Sequence, residues 1–96
     1  MPAGRVEGKI ISATAAGNLV TDLTADQLRA APRGEQTTIR CDEHETRGLF
    51  APDHKEPDFT FLALLNADGQ LELTIVGDNA RDMLGLRPGM EVVVEW

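Results

Sequence analysis

Residues 59–76, FTFLALLNADGQLELTIV, carry two apolar runs on either side of a polar corner, Asn66-Ala67-Asp68-Gly69. In QLELTIV the alternation puts Leu71, Leu73 and Ile75 on one face and Glu72 and Thr74 on the other, the period of a strand with one buried face. Gly69 supplies the positive φ that a short connecting loop wants, so the stretch predicts an antiparallel hairpin. One face of that hairpin must be covered by further strands.

Upstream, RVEGKIISA (Arg5 to Ala13) is rich in Ile and Val and predicts a strand, with Gly8 marking a bend or bulge. Gly17-Asn18 then turns the chain, because these two residue types enter left-handed conformations at least cost. LVTDL resumes as a strand. Thr24 followed by Gln27 matches a capping box, with Leu23 and Leu28 placed as a staple and Pro32 as a stop, so a short helix is expected over 25–31. TTIRCDE reads as another strand. Residues 43–58 hold two prolines, both histidines and five acidic side chains, a composition that predicts an exposed loop with room for a short strand at RGLFA.

Downstream, DNARDMLGL predicts a second short helix with Asp78 as N-cap and Gly85 as its stop, before Arg87-Pro88-Gly89 turns the chain into MEVVVEW. Short strands separated by turn signals, with only two short helices, give a mainly β fold: a small closed or nearly closed antiparallel β-barrel, a single domain over residues 1–96. Its expected core is Leu19, Leu62, Leu64, Leu71, Leu73, Ile75, Leu84, Val92 and Val94.

Composition narrows the function classes. A formal charge of −7 repels phosphate backbones and gives no counterion-release gain, which argues against nucleic acid as a partner. Cys41 is the sole cysteine, so no internal disulfide forms, and MPAGRVEGKI lacks the apolar stretch of a signal peptide. No run approaches the roughly 18 apolar residues that span a bilayer. The expectation is a soluble cytoplasmic protein with no membrane partner and no cofactor.

The order of these elements resembles a known family. Gly-Asn corner, LVTDL, NADG hairpin, LEL, GDNA, LGLRPG and a final VVV strand together look like the C-terminal β-barrel domain of the S-adenosylmethionine hydroxide adenosyltransferases, which include the fluorinating and chlorinating enzymes. The resemblance runs from about Gly4 to Val94. It implies half of a composite active site, completed in the family by a larger α/β domain that these 96 residues have no room for. The family's Asp-x-x-Phe-Gly-Asn corner falls on ATAAGN, keeping Gly17 and Asn18 but placing Ala13 at the Asp and Ala16 at the Phe. Its Asn-Ser-x-Gly-x-Leu hairpin falls on NADGQL, keeping Asn66, Gly69 and Leu71 but placing Ala67 at the Ser. The corner through which family members contact adenine matches at Asn79 and Ala80.

The groups that would hold an ammonium and a carboxylate are thus reduced to methyls, while amides able to meet a purine edge remain. The resemblance implies a stand-alone, non-catalytic domain that binds an adenine-type nucleoside through Gly17, Asn18, Asn66, Asn79 and Ala80, or completes a site with a second copy or an α/β partner. The alternative is a structural or interaction module in which the same residues serve only the turns. An adenosyltransferase acting on S-adenosylmethionine is the least favoured reading.

Other constellations are weaker. Cys41, His44 and His54 are ligand types that zinc accepts, but their spacing matches no paired-ligand pattern, so a solvated acidic loop and no metal are expected. Cys41 within a strand is expected to be a small buried hydrophobe rather than a nucleophile paired with His44. The last third of the chain also resembles the swapped-hairpin transcription regulators. The DNA binding which that resemblance implies is opposed by the acidic balance.

Overall fold

The computed structural model describes residues 4–96. Its elements are β1 (Arg5–Ala13), β2 (Leu19–Thr24), β3 (Thr38–Cys41), β4 (His44–Arg47), β5 (Leu49–Phe50), β6 (Phe61–Leu65), β7 (Gln70–Ile75), α1 (Ala80–Leu84) and β8 (Glu91–Glu95). The expected hairpin is β6–β7, paired antiparallel from Phe61↔Ile75 through Ala63↔Leu73 to Leu65↔Leu71. Its corner is closed by the Asn66 side chain, whose Oδ1 accepts from the N–H groups of Asp68 and Gln70, each at 3.0 Å.

The strands form one sheet in the order β4-β3-β8-β1-β2-β7-β6-β5. β1 serves both halves of it: Arg5 to Lys9 pair with β8, and Ile10 to Ala13 pair with β2 across an irregularity between Ile10 and Ser12. That bulge falls just beyond Gly8 and bends the strand around the barrel. The two outermost strands, β4 and β5, are joined in the chain by Gly48 alone, so the sheet curls until its edges nearly meet. Thr46 Oγ1 donates to the Phe61 carbonyl at 2.9 Å across this closure. Gly48 is buried at φ 89°, and a Cβ there would press on the Arg33 carbonyl at 3.3 Å, so the closing residue has to be glycine. The barrel is nearly closed and antiparallel except for the short parallel pair β5–β6.

The interior is a cluster of aliphatic residues in which Leu19, Leu71, Leu73, Val92 and Val94 are fully buried. Leu23, Leu28, Ile10, Ile39 and Leu86 join them at 1% exposure or less. Every expected core position except Leu84 is buried, and two of them, Leu62 and Leu64, sit outside the main cluster. Leu62 and Leu64 are buried but lie on the outer side of β6, opposite Thr74 and Glu72, while Ala63 is the inward residue beside Leu73. Leu84 is only partly buried against the cluster. An unbroken apolar run such as FLALL carries no alternation from which the inward face could be chosen.

There is one short helix among the described residues, not two. The capping box forms as expected: the Thr24 N–H donates to Gln27 Oε1 at 2.9 Å, and the Gln27 N–H donates to Thr24 Oγ1 at 3.3 Å. The segment beyond it makes turns rather than a helix. A single turn before Pro32 fixes several dihedrals for few hydrogen bonds, the unfavourable nucleation regime. In α1 the N-cap is Asn79, not Asp78, its Oδ1 accepting from the Asp82 N–H at 2.9 Å, and Gly85 at φ 69° ends the helix as expected.

The segment expected to be an exposed loop contributes two strands. β4 pairs with β3 from Cys41↔His44 to Thr38↔Arg47 through a tight corner at Asp42, which takes φ 56°. β5 falls within RGLFA, and residues 51–60 remain irregular. Among the described residues no helix is long and apolar enough to cross a membrane.

Candidate functional site

Two corners of the chain meet on the outside of the barrel. The first runs from β1 into β2: the Gly17 N–H donates to the Thr14 carbonyl at 2.9 Å, and the Asn18 N–H donates to Thr14 Oγ1 at 3.1 Å. The second runs from β7 into α1, where Gly77 takes φ 74° and the Asn79 N–H donates to Asp78 Oδ1 at 2.7 Å. They are tied together directly, since the Arg81 N–H donates to the Gly17 carbonyl at 2.9 Å. Gly17 is buried at φ 89°, and a Cβ on it would lie 2.0 Å from Asn79 Oδ1. Asn79 therefore closes over the first corner while capping the helix of the second.

Between the corners lies a cleft of about 350 Å³, lined by Ala16, Asn18, Thr74, Ile75, Gly77 and Asp78. Its volume is at the small end of ligand sites, large enough for part of a nucleoside. Asn18 is the polar centre. Its Oδ1 accepts from Thr74 Oγ1 at 2.6 Å, and its Nδ2 donates to Glu72 Oε2 at 3.3 Å. Glu72 also accepts from Asn66 Nδ2 at 3.4 Å, through its other oxygen.

The structure thus brings Gly17, Asn18, Asn79 and Ala80 into one region and links Asn66 to it through Glu72. Their available groups differ. Asn18 retains an unused N–H and an acceptor lone pair. The Asn66 and Asn79 oxygens are engaged by backbone N–H groups, leaving N–H donors. Ala80 is fully buried, so it shapes the second corner from behind rather than facing the cleft. Ala13 sits partly buried against the core and Ala67 is exposed in the hairpin loop. Glu72 and Thr74 were not among the expected site residues. The alternation in QLELTIV placed them on the outer face, and that was the only signal.

The Cys41, His44, His54 set does not assemble. His44 Nε2 faces the Leu84 carbonyl at 3.0 Å, an acceptor, so this nitrogen carries the hydrogen. His54 Nδ1 instead accepts from the Glu56 N–H at 3.2 Å. Among the described residues no group of three His, Cys, Asp or Glu side chains is arranged to hold a metal ion.

Cys41 is 2% exposed, and its burial, aided by the Asp42 carboxylate, pushes the thiol from 9.0 up to about 11. It is a neutral core thiol rather than a nucleophile. Native protein at pH 8 should be alkylated by iodoacetamide far more slowly than unfolded protein, as mass spectrometry would show. Because the folded state holds this proton at pH values where the unfolded state has lost it, stability falls as pH rises from about 9 to about 11.

Residues 8–93 match a family model described as the SAM hydroxide adenosyltransferase C-terminal domain. Among solved structures, an uncharacterised conserved protein from Thermotoga maritima superposes with a TM-score of 0.79 at 17% identity, over 95% of this chain and 35% of that one. A conserved hypothetical protein from Thermus thermophilus superposes at 0.73 and 27% identity, over 92% of this chain and 34% of that one. The chain therefore spans about a third of the length of these two proteins. No curated protein matches.

Proposed function

Because the chain belongs to the SAM hydroxide adenosyltransferase C-terminal domain family, we propose that it is a non-catalytic barrel that takes an adenine-type nucleoside in the cleft beside Asn18. The observation that carries this reading is the convergence of Asn18 with Gly77 and Asp78 of the second corner on one cleft. A carboxamide with a free donor and a free acceptor matches the donor and acceptor edge of adenine. Intact S-adenosylmethionine is disfavoured by Ala13 and Ala67, which offer methyl groups where its amino-acid end would need a carboxylate and a hydroxyl. Asn66 and Asn79 complete the proposed ligand-binding set, while Gly17 and Ala80, both buried, shape the two corners behind it.

A thermal-shift comparison of adenosine, methionine and S-adenosylmethionine tests it. A ligand at 100 times its dissociation constant adds about 2.7 kcal/mol, on the order of 10–20 °C in a domain of this size. Adenosine is expected to stabilise and methionine to leave the midpoint unchanged. Absence of any shift with adenosine up to millimolar concentrations would remove the reading. The same chain incubated with S-adenosylmethionine is expected to release no adenosine beyond the spontaneous rate.

A second reading, an interaction module that completes a site with an α/β partner or another copy, is favoured by two exposed apolar side chains near the second corner. Phe59 is 72% exposed and its N–H donates to the Val76 carbonyl, next to Gly77; Met83 is 61% exposed in α1. These supply apolar area that Ala15 and Ala16 alone would lack. Light scattering across a concentration series separates self-association from a monomer that needs a different partner.

A further inference from the structure

Asn18 can face its neighbours with either end of its carboxamide, and which end points into the cleft decides what the cleft can bind. The Thr74 hydroxyl does not choose, because it donates or accepts equally well. The Glu72 carboxylate does choose, since in its ionised form it only accepts and therefore draws the Asn18 Nδ2 toward itself at 3.3 Å. The Asn18 oxygen is then left to Thr74 Oγ1 at 2.6 Å.

The carboxylate is itself held in register from the far side. Asn66 Oδ1 accepts from two backbone N–H groups of the hairpin loop, at 3.0 Å each, which turns its Nδ2 outward to Glu72 Oε1 at 3.4 Å. A chain of fixed polarities thus runs from the hairpin backbone through Asn66 and Glu72 to Asn18, across residues 54 positions apart in sequence. Glu72 and Thr74 sit side by side on the outer face of β7, which is why one strand can hold both ends of a single amide.

We propose that Glu72 is a positioning residue that locks the polarity of the Asn18 carboxamide and thereby makes the cleft select 6-amino purines over 6-oxo purines. This rests on the nucleoside reading above. With the amide locked, its remaining donor and acceptor complement the N6–H donor and adjacent ring-nitrogen acceptor of adenine. Inosine presents an oxygen acceptor in place of that N6–H donor. A bidentate match of this kind corresponds to about 5- to 150-fold discrimination.

The test has a binding arm and a ligand-free arm. Calorimetry should give native protein at least about a 5-fold preference for adenosine over inosine. Glu72→Gln, whose amide both donates and accepts, should bring the two nucleosides to within about 2-fold, while Thr74→Val should weaken binding but keep the preference. If Glu72→Gln fails to fold, Glu72→Lys serves instead: an ammonium only donates, so the Asn18 amide should reverse and the preference should move toward inosine. A Glu72→Gln or Glu72→Lys variant that binds with the native adenosine-to-inosine ratio overturns the proposal.

In the ligand-free arm, NMR exchange between the two Asn18 Nδ2 hydrogens should be slower in native protein than in Glu72→Gln. If native protein binds neither nucleoside, the function reading fails and the lock is judged by this rate alone. An unchanged rate then overturns the lock as well, whereas a faster rate in the variant sustains it.

Discussion

Leu73→Ala is expected to lower the free energy of unfolding by about 3–5 kcal/mol, measured by urea denaturation with the slope unchanged. Leu73 is fully buried in the middle of β7, between Leu19 of β2 and Ala63 of β6. Truncation removes its transfer free energy and opens a cavity, and the second term depends on how far the neighbours can relax. Ala63 has no side chain long enough to fill the space, and Leu19 is held in its own strand pairing. The loss therefore belongs in the upper part of the usual range. Set against a typical total of about 5–15 kcal/mol, it takes away a large share of the domain's stability. A loss under about 1 kcal/mol would show that the barrel interior is not organised around β7.

Gly17→Ala is the second large effect, about 2–3 kcal/mol, and it has two separable parts. Forcing an alanine to φ 89° costs about 1–2 kcal/mol from the clash of Cβ with the backbone. The new Cβ would also meet Asn79 Oδ1 at 2.0 Å, so the Asn79 side chain must leave the Asp82 N–H and the cap on α1 is lost, about 1 kcal/mol more. Gly85→Ala isolates the first part, because Gly85 has φ 69° but open space around its Cβ position. Gly17→Ala should therefore cost more than Gly85→Ala by about the value of one cap. In an Asn79→Ala background the excess should vanish, the signature of two residues sharing one contact. Equal costs for the two glycine variants would refute the coupling between the corners.

The elements legible in the sequence are those whose cause lies within a few residues. Alternation marked β7, turn chemistry marked the Asn66 to Gly69 corner and the Gly17-Asn18 corner, and Gly85 marked the end of α1. The capping box at Thr24 was equally legible, but its presence did not make a helix, since a cap satisfies N–H groups without supplying the turns that follow. β4 was illegible. His-Glu-Thr-Arg has no apolar alternation, and its corner at Asp42 lacks the glycine that announces a tight hairpin. It becomes a strand because β3 offers it an edge and because the barrel has to close through Gly48 onto β5.

The candidate site divides in the same way. Local sequence was enough to put Asn18 and Asn79 at corners and to turn Glu72 and Thr74 away from the core, because turn preference and strand period are properties of adjacent residues. It took the folded barrel to bring the two corners onto one cleft, to bury Leu62 and Leu64 on the outer side of β6, and to stand Glu72 between Asn18 and Asn66. These facts depend on the registers Leu19↔Leu73 and Leu64↔Glu72. A register joins segments far apart in the chain, and shifting it by one residue turns every side chain to the opposite face, so it is fixed by which pairing buries the apolar face of all the strands at once.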